Sequence, residues 1–133
     1  MTVRRFGVSL EEDLLEKLDT LSAKHGFPNR SQAIRFIIRN ALVEDARSSD
    51  GTVAGVIVLV YDHHRQGVVN RLLNIQHDYT DHIVSSQHAH LDHSTCLETI
   101  VLKGRASRLQ ELADRLLSIK GIRHGKLVVS GAQ

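Results

Sequence analysis

The chain has 133 residues, a formal net charge of +2, one cysteine and no tryptophan. A lone thiol excludes an internal disulfide and suits a reducing cytoplasm, while near-balanced charge and scarce aromatics confine any nucleic-acid surface to a local patch and weigh against base stacking on single strands. The first residues are polar and basic, with no secretory apolar core, and the apolar run 53–60 is too short to span a bilayer, so no membrane role is expected.

Residues 3–10 are extended in character and carry Arg4 and Arg5. Residues 11–25 place Leu14, Leu15, Leu18 and Leu21 at helical spacing. Ser9 with Glu12 predicts a capping box at the start of that helix. Gly26-Phe27-Pro28 ends it, and Asn29 with Gln32 predicts the cap of a second helix over 30–47. That helix is expected to bury Ala33, Ile34, Ile37, Ile38, Ala41 and Leu42, with Arg35 and Arg39 on its other face. A strand and two helices in under fifty residues cannot cover this much apolar surface, and the strand has no partner within the segment. Both problems vanish if two chains pair, their strands forming an antiparallel ribbon and their four helices one core.

The strand Arg5-Phe6-Gly7-Val8-Ser9-Leu10 and the run Asn29-Arg30-Ser31-Gln32-Ala33-Ile34-Arg35 resemble the ribbon-helix-helix DNA-binding domains. A two-stranded ribbon fits the major groove of duplex DNA. Arg5, Gly7 and Ser9 share the strand face that would meet base edges, and Phe6, Val8 and Leu10 the face toward a dimer core. Asn29, Arg30 and Ser31 stand at the amino end of the second helix, where free N–H groups can hold a phosphate. The competing reading is a helical dimerisation module with ordinary solvated arginines.

Residues 48–52 are small and polar and read as a linker. A buried strand is expected over 53–61 and a helix over 64–76, with Val68, Val69, Leu72, Leu73 and Gln76 at helical spacing. Strands follow over 79–91 and 96–102, and Lys103-Gly104 is expected to turn the chain. A helix over 105–120 carries Leu109, Leu112, Ala113, Leu116 and Leu117; Gly121 ends it, and 122–130 is the last strand. The order is βαββαβ, the split sandwich of ferredoxin-like folds.

The chemistry concentrates in Gln87-His88-Ala89-His90-Leu91-Asp92-His93-Ser94-Thr95-Cys96. His88 and His90, two apart on a strand, project from one face. Asp92-His93-Ser94 reads as a tight turn, and Cys96 opens the returning strand as a cross-strand neighbour. One hairpin then offers two imidazoles and a thiolate, a soft donor set that favours nickel, copper or zinc over magnesium or calcium. A fourth ligand must come from elsewhere, with His77, His82 and His93 the candidates at hand. Without the cysteine, the same two histidines would read as an ordinary polar strand face. Gln76 and Glu98 lie beside candidate ligands and can orient imidazoles; an exposed polar Glu98 is the plainer alternative.

A ribbon-helix-helix start, a short linker, βαββαβ, and Gln76-His77 followed by His88-x-His90 and Cys96 together resemble the nickel-responsive transcriptional regulators, the NikR family. The likeness spans nearly the whole chain, including Cys96-Leu97-Glu98 and Val101-Leu102-Lys103-Gly104. It implies an α+β protein with a DNA-binding domain over 1–47, a linker over 48–52, and an ACT-type metal-binding and tetramerisation domain over 53–133. It implies Ni(2+) held by His88, His90 and Cys96 of one subunit and His77 of a neighbouring subunit, in a homotetramer that is a dimer of dimers. It further implies a cytoplasmic, non-enzymatic regulator that represses nickel uptake by binding a double-stranded operator. Gln32 and Phe36 stand where family members often carry acidic residues of an inter-domain cation site, and Gly7 stands where a base-reading side chain is expected. His63, His64, His82 and His93 are additional imidazoles, read as surface or structural; His25 and His124 have no evident partners.

Two other classes stay in view. An enzyme could use a metal with an open coordination position, but deaminase-like zinc sites want a second cysteine that is absent here. A regulator with an ACT-type domain could respond to another metal or to an amino acid, and the His-Cys cluster favours metal.

Overall fold

The computed structural model describes residues 2–131. Two helices, α1 (Glu12–Lys24) and α2 (Arg30–Ser48), precede β1 (Thr52–Asp62), α3 (Val68–His77), β2 (Ile83–His90), β3 (Thr95–Arg105), α4 (Ala106–Leu117) and β4 (Ile122–Ser130). The chain divides into two compact units, 1–39 and 40–133.

In the first unit, residues 3–10 form no strand in the single chain. A strand needs a partner for its backbone groups, and this segment has none, leaving Phe6 73% and Val8 56% exposed. The Ser9–Glu12 capping box does not form: Glu11 is the N-cap, without a side-chain cap. The second cap does form, the Gln32 N–H donating to Asn29 Oδ1 at 2.9 Å. Of the stripe expected to be buried on α2, only Ala33 is; Ile37, Ile38 and Leu42 are exposed. Gly26, at φ 71°, supplies the left-handed turn after α1. Phe27 and Phe36 then meet with ring centroids 5.2 Å apart, with His25 6.2 Å from Phe36.

The second unit is an antiparallel four-stranded sheet in the order β2-β3-β1-β4. Strand β1 alternates strictly. Val53, Ile57, Leu59 and Tyr61 are buried among Leu72, Ile100, Leu102, Leu109, Leu112 and Leu116, while the intervening valines are half-buried. Helices α3 and α4 therefore cover one face, and the other, with Val56, Val58, Val60, Val101 and Val128, is only partly covered. Gly125 lies where α4 approaches the sheet; a Cβ there would stand 2.8 Å from the Val58 carbonyl oxygen.

Helix α4 ends at Leu117 rather than 120, and three other boundaries differ from the sequence reading for local reasons. Helix α3 starts at Val68 rather than at 64, because the Asp62 carboxylate accepts the His64 N–H at 2.9 Å and Gly67 adopts φ 85°. Strand β2 begins at Ile83 rather than 79, since 79–82 form a turn closed by Tyr79 O accepting from His82 N. Lys103-Gly104 does not turn the chain; β3 runs through it, with Gly104 paired to Val53, and passes directly into α4.

The short polar stretch after α2 is tied down. Asp50, at φ 58°, accepts the Ser107 N–H at 2.7 Å and an Arg105 guanidinium N–H at 2.6 Å. The Ala106 N–H donates to Gly51 O. The free amides at the start of α4 are thus satisfied by a segment over fifty positions earlier. The Ser107 N–H and Arg105 hold the Asp50 carboxyl below the usual aspartate range.

Candidate metal centre

The hairpin joining β2 and β3 is closed by Asp92, whose Oδ1 accepts the Ser94 N–H at 3.0 Å and the Thr95 N–H at 2.8 Å. Leu91 N–H donates to Thr95 O beneath it. This turn sets the register: His90 lies opposite Cys96 and His88 opposite Glu98. On the other side of β3, Tyr61 lies opposite Cys96 and Leu59 opposite Glu98. Directly opposed residues share a sheet face. Two rows result, Tyr61–Cys96–His90 and Leu59–Glu98–His88, on the face that the helices cover.

Cys96 and Glu98 are each 1% exposed, whereas His88 and His90 stand at the open edge. Glu98 is therefore no exposed polar residue. Its Oε1 accepts the Tyr61 hydroxyl at 2.8 Å and its Oε2 accepts the Gln76 amide at 3.1 Å. The same Oε2 lies 3.5 Å from His88 Nε2. Burial, and then the Glu98 carboxylate, push the Tyr61 phenol well above its ordinary range, so it is a donor at every physiological pH. The carboxylate is thus held by two neutral donors beside one nitrogen of His88.

His77 ends α3 and is exposed beside Leu73, Gln76, Thr80 and Ile83. Three further imidazoles, His63, His64 and His93, gather at the hairpin. The His63 ring stacks on His90 with centroids 4.5 Å apart and lies 4.0 Å from His64, whose Nε2 is 3.1 Å from the His93 carbonyl oxygen. Burial and the neighbouring imidazoles depress the His63 pKa. His82 is separate, edge-on to Tyr79. Among the described residues, no three His, Cys, Asp or Glu side chains of the single chain close around a common point. The hairpin aligns His90, Cys96 and His88 on one face without completing a coordination sphere. The donors are of the right kind, since thiolate and imidazole suit Ni(II).

The candidate DNA-facing residues Arg5, Gly7 and Ser9 are exposed in the extended amino-terminal segment. Asn29 caps α2, and Ser31 is exposed in its first turn. Arg30 donates to both Asp19 oxygens at 2.9 Å.

A family model described as the NikR C terminal nickel binding domain matches residues 54–130, and one described as ribbon-helix-helix protein, copG family, matches 4–45. Similar curated proteins, each carrying the provisional name nickel-responsive regulator, include one from Thermococcus kodakarensis, 49% identical over 98% of this chain and 96% of its own. Another, from Desulfovibrio desulfuricans, is 53% identical over 91% of this chain and 88% of its own. The chain belongs to the nickel-responsive regulator family. An uncharacterized protein from Thermotoga maritima, 18% identical, shares the fold with a TM-score of 0.53, over 59% of this chain and 96% of its own.

The hairpin that brings His88 and His90 beside β3 was readable from spacing. Tyr61 was not singled out, because nothing local distinguishes it from the other residues of the apolar run in β1. Its only signal is parity with Ile57 and Leu59, and parity says nothing about which residue of β3 it faces.

Proposed function

We propose that this protein is a nickel-responsive, DNA-binding transcriptional regulator without catalytic activity, acting in the cytoplasm to repress nickel uptake. The observation that carries this reading is the union of two parts in one chain. A ribbon-helix-helix segment is followed by a hairpin that sets His90 opposite Cys96 and His88 opposite the anchored Glu98. In this reading residues 1–47 bind DNA, 48–52 link, and 53–133 bind metal and assemble the protein.

His88, His90 and Cys96 supply three donors and His77 of a neighbouring subunit the fourth; Gln76 and Glu98 orient the imidazoles. When bound, nickel supplies a divalent centre shared between subunits. Cys96 gives up its proton to serve as a donor, so binding tightens as pH rises. The partly covered valine face of the sheet supports assembly into a homotetramer, a dimer of dimers. Two exposed Phe6-Val8-Leu10 segments pair as a ribbon that presents Arg5, Gly7 and Ser9 to the major groove. Asn29, Arg30 and Ser31 meet the backbone. The Arg30–Asp19 pair, with its side chains about half exposed, is weak enough to yield to a phosphate.

The test is selection of duplexes from a random library on the nickel-loaded protein, followed by titration with and without nickel. We expect the selected duplexes to bind at least tenfold more weakly without nickel, and the selected DNA to tighten nickel by the same factor. Equal DNA affinity in both conditions overturns the reading.

A further inference from the structure

Beneath the candidate ligands lies a polar group that the chain buries completely. Glu98, 1% exposed, has no Lys or Arg partner among the described residues; its one ion-pair neighbour is His88. A buried carboxylate is tolerated only when its oxygens are satisfied. Here one oxygen is served by the Tyr61 hydroxyl alone and the other by Gln76, with His88 nearby.

Tyr61 occupies a second position of interest. It is the cross-strand partner of Cys96, on the side opposite His90, and is itself 1% exposed. Phenylalanine would fill the same place in the core. The hydroxyl has no packing role and has found a partner, as a buried phenol must. It therefore adjoins both halves of the centre, through its place opposite Cys96 and through its oxygen on Glu98.

We propose that Tyr61 is a positioning residue of the metal centre: its hydroxyl fixes the Glu98 carboxylate that orients His88, and its ring walls the Cys96 donor away from water. This rests on the nickel reading above. Without the hydroxyl, Glu98 keeps only Gln76 as a neutral donor and is free to rotate away from His88. The imidazole then loses the carboxylate that directs it, and the thiolate loses a fixed neighbour.

Tyr61→Phe in the full chain tests this by nickel titration against a competing chelator and by absorption spectroscopy. Loss of an orienting partner of this kind costs about 10–100-fold in metal affinity. We expect a drop of that size, with the thiolate-to-nickel charge-transfer band retained but displaced. Glu98→Gln, which preserves volume and one acceptor oxygen, is expected to displace the band in the same direction and keeps the test decisive should Tyr61→Phe fold poorly. Native affinity and an unmoved band in Tyr61→Phe overturn the inference alone, as does a lowered Tm of the metal-free variant with the band in place. An unmoved band in Glu98→Gln overturns it as well. Absence of any thiolate band in the unmodified protein overturns the nickel reading and this inference together.

Discussion

Cys96 carries the softest donor of the candidate centre, and its burial decides how it behaves. At 1% exposure it belongs to the buried core, opposite Tyr61, while its other Cα partner His90 stands at the open edge. Replacing it with alanine removes one buried sulfur from a core of large side chains, a change of about 1 kcal/mol in stability. We therefore expect Cys96→Ala to keep its far-ultraviolet circular dichroism and to lose the thiolate-to-nickel band together with tight nickel binding. Retention of tight binding would remove Cys96 from the ligand set. His88, His90 and Cys96 were legible in the sequence because a period of two and a three-residue turn are local properties. The burial of Glu98 and its bond to Tyr61, 37 positions away, were not, because they depend on how β1 and β3 are aligned.

Asp50 shows how one side chain can join two elements. Its carboxylate satisfies the amide of Ser107 in the first turn of α4 and pairs with Arg105, while its backbone adopts φ 58°. Asn tolerates that backbone and can accept the same N–H, so Asp50→Asn isolates the charge. The folded-state pKa of Asp50 is lowered, so its contribution is full above the ordinary aspartate value, about 3.9, and fades as pH falls through the folded value. Urea unfolding should find the native chain more stable than Asp50→Asn at pH 7, with the difference shrinking as pH falls below the ordinary aspartate range. A constant difference across that range would mean that the charge is not what matters. The same contacts explain why Asp50 and Gly51, which read as part of a loose linker, are held against the start of α4. Helix and strand bounds shifted for related reasons. Asp62 and Gly67 hold residues 64–67 in a turn despite helical periodicity, and pairing with β1 carries β3 through Lys103-Gly104.

Two apolar surfaces stay wholly or partly open among the described residues of the single chain. Phe6, Val8, Ile37 and Ile38 are open in the first unit; Val56, Val58, Val60, Val101 and Val128 lie on the partly covered sheet face of the second. Exposed patches of this kind mark association surfaces. The proposed sharing of ligands between subunits makes a sharp prediction. His77→Ala and Cys96→Ala should each lack the native nickel spectrum when expressed alone. Co-expressed as mixed oligomers, they should regain it in about a quarter of the sites, where His77 of one chain meets the hairpin of the other. No recovery would place all ligands within one chain.

From α1 onward, element types, their order and the hairpin that carries His88, His90 and Cys96 could be read without coordinates, because helical and strand periodicity and turn chemistry are written in neighbouring residues. What tertiary packing added was register. A slip of one residue between β1 and β3 would send every side chain of one strand to the opposite face. Only the observed alignment puts Tyr61 across from Cys96 and in reach of Glu98. That alignment is settled by the fit of α3 and α4 onto the sheet, a property of residues far apart in the chain, and so no local pattern could reveal it.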